Sequence, residues 1–246
     1  MSEKSDSGQP MVLNSLSKET ELNSSHIFYI AKGFSRIFWG LFITLILLFA
    51  NASFQFLYNL RFPAYVIGSG LLIWGLLLLR NAGYLTTRWR ATIQLSLILV
   101  VIQIYFAPFV AWWVSMPHVP FYVINCLALL FASMLNLLIF NLLSAEASRF
   151  LQNRFYELES KLFAGVVVVV MIIPFLACVT VSVYTASHYE TSFYIELWYI
   201  LARIPYWAYG VLTIPCLLTL IASWQVKECS YDMLWSQDKP EQVDTE

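Results

Sequence analysis

Charge is what this chain has least of. Only 12% of its 246 residues are charged, against 59% hydrophobic and 17% aromatic, and the mean hydropathy is +0.68. A soluble domain of this size carries about a quarter charged residues and could not hide so much apolar surface. The few charges are also clumped between long uncharged runs, which is the pattern of a polytopic integral membrane protein. Lipid offers the backbone no hydrogen bonds, so each run must be a helix, β-branched stretches such as residues 166–170 included, and the fold class is all-α.

Other absences narrow the function. The four cysteines, Cys126, Cys178, Cys216 and Cys229, form no CxxC or other metal-like spacing, so neither a disulfide framework nor a metal site is expected. There is no Walker loop, zincin motif, nucleophile elbow or GxGxxG. No catalytic residue and no cofactor is assigned on this basis. The net charge of −1, with no basic block interleaved with aromatics, points away from nucleic acid. The expected partners are the lipid bilayer and other membrane proteins.

Six apolar spans are expected, at about residues 37–56, 63–79, 91–113, 119–143, 162–186 and 204–224. Residues 1–24 are rich in Ser, Glu and Lys and read as a disordered tail, and residues 225–246 as an acidic tail. Ile27, Ile30, Ala31, Phe34 and Phe38 recur at helical spacing and predict an amphipathic helix before the first span. A second, cytoplasmic helix is expected over residues 144–161, and an interfacial one before the last span. Lys32, Arg36 and the Ala50-Asn51-Ala52 sequence imitate a signal peptide. The acidic residues ahead of them and the apolar residues beyond Ala52 favour a retained span.

Lys and Arg are distributed with a strong bias. Lys4, Lys18, Lys32, Arg36, Arg80, Arg88, Arg90, Arg149, Arg154, Lys161, Lys227 and Lys239 fall on one side, against Arg61 and Arg203 on the other. The positive-inside rule then places both termini in the cytoplasm, of a plasma or bacterial inner membrane.

No Asp, Glu, Lys, Arg or His lies inside any of the six spans. Such a charge costs at least about 2.5–3.5 kcal/mol and marks ion or proton paths, so its absence lowers the expectation of an ion-motive machine. Amides and hydroxyls take its place: Thr44, Asn51 and Gln55 on the first span, Thr92, Ser96 and Gln103 on the third, Asn125 and Asn136 on the fourth. These read either as interhelical hydrogen-bond glue or as a neutral ligand pocket formed by Asn51, Gln55, Gln103 and Asn125. Ala64, Gly68 and Gly75 share a face of the second span and predict close helix packing. Glu196, Tyr199 and Arg203 share a face at the outer boundary and could contact lipid or a partner. His118, His188 and Glu190 are the remaining outer polar groups, and they read as wet loop residues.

These features favour a non-enzymatic membrane subunit or assembly partner. A small permease or channel for a neutral or amphiphilic compound is the alternative, and an outer-face lipid-modifying enzyme using His188 and Glu190 a distant third.

Overall fold

A computed structural model describes residues 9–53, 61–83, 87–116, 119–203 and 205–237. The described residues contain helices and no strand: α1 (Gln9–Ser53), α2 (Arg61–Asn81), α3 (Thr87–Ser115), α4 (Pro120–Phe150), α5 (Arg154–Val167), a π-helical segment (Val168–Ile172), α6 (Ile173–His188), α7 (Phe193–Ala202) and α8 (Tyr206–Gln237). Five stretches are long and apolar enough to cross a membrane: Ser24–Ile46, Arg88–Val110, Pro120–Phe150, Arg154–His188 and Gly210–Ser236. Tyr65–Asn81 is a shorter apolar helix. The protein is therefore a helical membrane protein.

The first hairpin is held by glycines. Gly33 and Gly40 on α1 face Gly75 and Gly68 on α2, in antiparallel order and at a spacing of one heptad on each helix. A methyl group on Gly75 would lie 2.8 Å from the Gly33 carbonyl oxygen and 2.8 Å from Ile37 Cγ1. One on Gly40 would lie 2.9 Å from the Gly68 carbonyl oxygen. Backbones this close exclude any side chain between them, so van der Waals contact is made along both helices at once. The expected small-residue face of the second span is thus a packing face at Gly68 and Gly75. The residues that answer it are Gly33 and Gly40.

The amphipathic segment before the first span runs on into that span. It is part of α1, and Ile27, Ile30, Ala31, Phe34 and Ile37 are fully buried, clustered with Leu72, Leu76 and Leu79 of α2. Its apolar face is covered by α2. The His26 ring nitrogen Nδ1 hydrogen-bonds the Ala82 carbonyl where α2 ends. Gly83 beside it has φ +85, a left-handed conformation that suits glycine, and a side chain there would strike the His26 ring.

Helix boundaries differ from expectation in three further places. The polar stretch ahead of residue 24 is helical from Gln9, consistent with the helix-favouring Leu13, Leu16, Lys18, Glu19 and Leu22. A single helix over residues 144–161 does not form. Instead α4 runs on to Phe150, and the chain reverses through Gln152, whose φ of 57 is left-handed. The Asn153 side chain then caps α5 by accepting from the Tyr156 backbone N–H at 3.2 Å. At the other end of the sequence, α8 continues past Trp224 to Gln237, with Val226 and Ser230 fully buried. The first part of the acidic tail is therefore packed helix.

The π-helical segment precedes Pro174. Proline has no N–H and its ring collides with the carbonyl four residues back, and a locally widened turn relieves both.

Gly75→Ala should lower the stability of the detergent-solubilised protein by about 1–3 kcal/mol, read as a drop in thermal midpoint. Gly70→Ala, where the added methyl meets nothing within 4 Å, should leave it unchanged or raise it by up to ~1 kcal/mol. Equal responses would refute a glycine-set distance between α1 and α2.

Candidate functional site

The central helix is α4. Half of its most apolar stretch is buried inside the protein, more than for any other of the five spanning stretches among the described residues. Polar side chains tie it to its neighbours on several sides. Towards α3, Ser96 Oγ donates to Asn136 Oδ1 at 2.6 Å, and Gln103 Nε2 donates to the Ala132 carbonyl at 3.1 Å. Towards α8, Asn141 Nδ2 donates to Thr219 Oγ1 at 2.8 Å, and that hydroxyl donates onward to the Pro215 carbonyl at 2.8 Å. Each of these bonds replaces an unmet polar group in a dry interior, which is why such pairs hold helices together in lipid.

The seam between α4, α5 and α8 is polar along much of its length. Asn141, Ser144 and Ser148 lie at i, i+3 and i+7 of α4, and all three are buried, as are Ser160 of α5 and Thr219, Ser223 and Ser230 of α8. Ser223 and Ser230 return their hydroxyls to the carbonyls of Thr219 and Val226. The Ser144, Ser148 and Ser160 hydroxyls have no hydrogen-bond partner among the described protein groups. Gln225 Nε2 donates to Glu159 Oε2 at 3.0 Å, joining α8 to α5 near the end of the seam. Small residues admit close helix approach, and their hydroxyls keep the contact polar.

Of the residues expected from sequence to form an outward pocket, the two with described side chains each donate to a backbone carbonyl. Gln103 is buried in the α3–α4 contact described above. Asn125 Nδ2 donates to the Phe121 carbonyl of its own helix at 2.7 Å. The Asn51 side chain and Gln55 lie outside the described residues. A narrow apolar cavity of about 40 Å³ does lie between α3, α4, α6 and α7, lined by Trp113, Cys126, Phe175, Cys178 and Leu197 among others. Its volume is close to that of one water molecule, far below the roughly 300 Å³ at which small-molecule sites begin.

At the start of α7, Glu196 Oε1 accepts from Thr191 Oγ1 at 2.9 Å. Tyr199 and Arg203 are exposed, and no ion pair joins Glu196 to Arg203 among the described residues. The Arg203 backbone N–H closes a turn onto the Ile200 carbonyl, and α7 and α8 are separate helices. His188 stacks on Tyr184 with ring centroids 6.1 Å apart, and His118 lies outside the described residues. No group of three or more metal-ligating side chains occurs among the described residues.

The opposite end of the bundle gathers cations. Arg36 lies over the Trp74 ring at 4.3 Å and Lys227 over the Trp224 ring at 3.2 Å. Contacts between His26 and Ala82, Phe38 and Trp224, and Asn153 and Cys229 bring the relevant helix ends to the same side. Most of the fully buried large side chains, including Trp89, Phe34, Ile30 and Leu79, also lie towards this end. Sequence reasoning singled out the outer half of the spans and passed over the inner seam. The helical spacing of Asn141, Ser144 and Ser148, and that of Thr219, Ser223 and Ser230, carried a signal of the same kind as the one read on α3.

No family model matches the chain, and no curated protein or solved structure matches it. Its class therefore rests on the helices and their contacts.

A double-mutant cycle with Asn141→Leu and Thr219→Val, read by unfolding in mixed detergent micelles, should return a coupling of about 0.6–1.7 kcal/mol. Additive effects would mean that the α4–α8 hydrogen bond contributes nothing to the fold.

Proposed function

We propose that this chain is a non-enzymatic subunit or assembly partner of a membrane complex, crossing the bilayer six times with both termini cytoplasmic. The observation that carries the reading is the state of α6. Only 17% of the most apolar stretch of Arg154–His188 is buried, against 28–50% for the other four spanning stretches. Within α6 itself only Ser182 and Ala186 are buried, and its main neighbours are α7 and the π-helical segment rather than the bundle. Ile173, Leu176, Val181, Val183 and Tyr184 all point away from the protein. A span so little used by its own chain is available to a second membrane protein, in which lipid contact is exchanged for protein contact.

Topology is supported by the cations. Lys32, Arg36, Arg80, Arg88, Arg149, Arg154, Lys161 and Lys227 belong to the same end of the bundle, and Arg203 to the other. The positive-inside rule assigns that end to the cytoplasm. The sixth crossing is α2, which has α1 against it along its glycine face. The permease alternative is weakened because the Gln103 and Asn125 amides are engaged by backbone carbonyls.

Purification of the tagged chain in mild detergent should bring a second membrane protein in fixed ratio. Ile173→Trp with Val183→Trp should reduce that yield severalfold, while Ile98→Trp, on an exposed face of α3, should not. Movement of a solute or lipid by the purified chain alone in liposomes would overturn the subunit reading in favour of a permease.

A further inference from the structure

Where α4 turns into α5, an open cleft of about 720 Å³ is lined by Arg149, Gln152, Arg154 and Glu157. Glu157 is already neutralised: Lys161 Nζ donates to its Oε1 at 2.5 Å. The two arginines are not. Lys32, Arg36 and Lys227 each stand over an aromatic ring, and Lys227 also pairs with Glu228 at 2.8 Å. Arg149 and Arg154 have neither a ring nor a carboxylate within bonding distance among the described residues. Both do lie within longer electrostatic reach of Glu157, and Arg149 and Arg88 within that of Glu146. The local balance stays positive, because Arg88, Arg149, Arg154 and Lys161 outnumber the two carboxylates. Two guanidinium forks beside one opening suit a phosphate, which each can bind through two parallel N–H groups.

The cleft also has an apolar continuation. Phe155, Leu158 and Leu162 are 70%, 67% and 64% exposed, and with Gly165 and Val169 they form one stripe at i, i+3, i+7, i+10 and i+14. A methyl group on Gly165 would meet nothing within 4 Å, so the stripe is open at that point. It begins one residue after Arg154 and runs about 21 Å into the span at ~1.5 Å per residue. The change from arginine to exposed phenylalanine places the headgroup layer at the cleft and the hydrocarbon along the stripe.

We propose that this elbow is a binding site for one anionic phospholipid, its phosphate held between Arg149 and Arg154 and one acyl chain laid along Phe155 to Val169. The ligand chemistry is that of a phosphate monoanion. The stripe is what selects lipid over a free phosphate, since a soluble ion gains nothing from it. The site does not depend on the subunit reading above. It requires only that the chain sit in a membrane.

The test uses the full chain, delipidated in a neutral detergent and titrated separately with phosphatidylglycerol, phosphatidylcholine and inorganic phosphate, with native mass spectrometry and thermal midpoint as readouts. Phosphatidylglycerol should bind one molecule per chain and raise the midpoint, and the other two should not. Arg149→Gln with Arg154→Gln should weaken phosphatidylglycerol binding about thirtyfold. Arg80→Gln, which removes a charge from the same end of the bundle, should change it less than about threefold. Leu158→Ser with Leu162→Ser should also weaken it, with the arginines intact. These positions are exposed, and an unchanged elution volume and circular dichroism spectrum verify the fold of each variant. Equal weakening by Arg80→Gln would replace the site with diffuse attraction between surfaces. Equal stabilisation by inorganic phosphate would make the ligand a free anion and remove the acyl stripe from the proposal.

Discussion

The distance between α1 and α2 is the constraint on which the rest of the packing rests. Two glycine pairs, Gly33 with Gly75 and Gly40 with Gly68, bring the backbones into contact. In lipid the hydrophobic effect does not drive helices together, because acyl chains are as apolar as leucine. Contact area and matched shape have to supply the attraction, and glycine supplies both by removing the side chain. The seven-residue spacing repeats the contact two turns further along each helix. Once α1 is fixed in this way, its buried face of Ile27, Ile30, Phe34 and Ile37 becomes a wall of the core. Phe38 then meets Trp224 of α8 with ring centroids 5.1 Å apart.

The second organising element, α4, works by different means. Its neighbours are joined through hydrogen bonds at several levels: Gln103 and Ser96 from α3, and Thr219 from α8. Glycine contacts set a distance and leave rotation and sliding weakly determined. A side-chain hydrogen bond in a dry interior fixes register, since sliding by one residue leaves both partners unmet. The two devices are complementary, and the chain uses them on different helix pairs.

The membrane class and the helical nature of every span could be read from composition, because lipid permits few alternatives. The faces could be read where a single helix carried the pattern, as with Gly68 and Gly75, or with Ser96 and Gln103. Partners could not. Nothing in the residues around Gly33 distinguishes a glycine that meets α2 from one that faces lipid. Helix ends were the least legible. The break at Gln152 depends on a left-handed residue that is not glycine and on the Asn153 cap, in a stretch whose periodicity reads as continuous helix. The extension of α8 to Gln237 was hidden by its acidic residues, although Val226 and Ser230 continue the buried face of Thr219 and Ser223. Gln103 and Asn125 show the same limit within a span. A polar side chain inside a span can be located from sequence, but whether it faces a ligand or a carbonyl depends on which helix lies opposite.

Exposure carries a different meaning here than in a soluble protein. Leu95, Ile98 and Val101 of α3 are each at least half exposed, and they are simply in their solvent. An apolar residue on the outside is therefore uninformative by itself, and so is an arginine at a helix end, which orients the chain. The informative places are those where one changes into the other over a single residue. Arg154 beside Phe155 is such a place, and its charge has not been taken up by a ring or a carboxylate. Arg36 and Lys227 mark the same boundary but are already covered by Trp74 and Trp224. The cations at this end thus divide into those that complete the protein's own surface and those that remain open to an anion. That division, rather than the number of positive residues, distinguishes a binding site from an orientation signal.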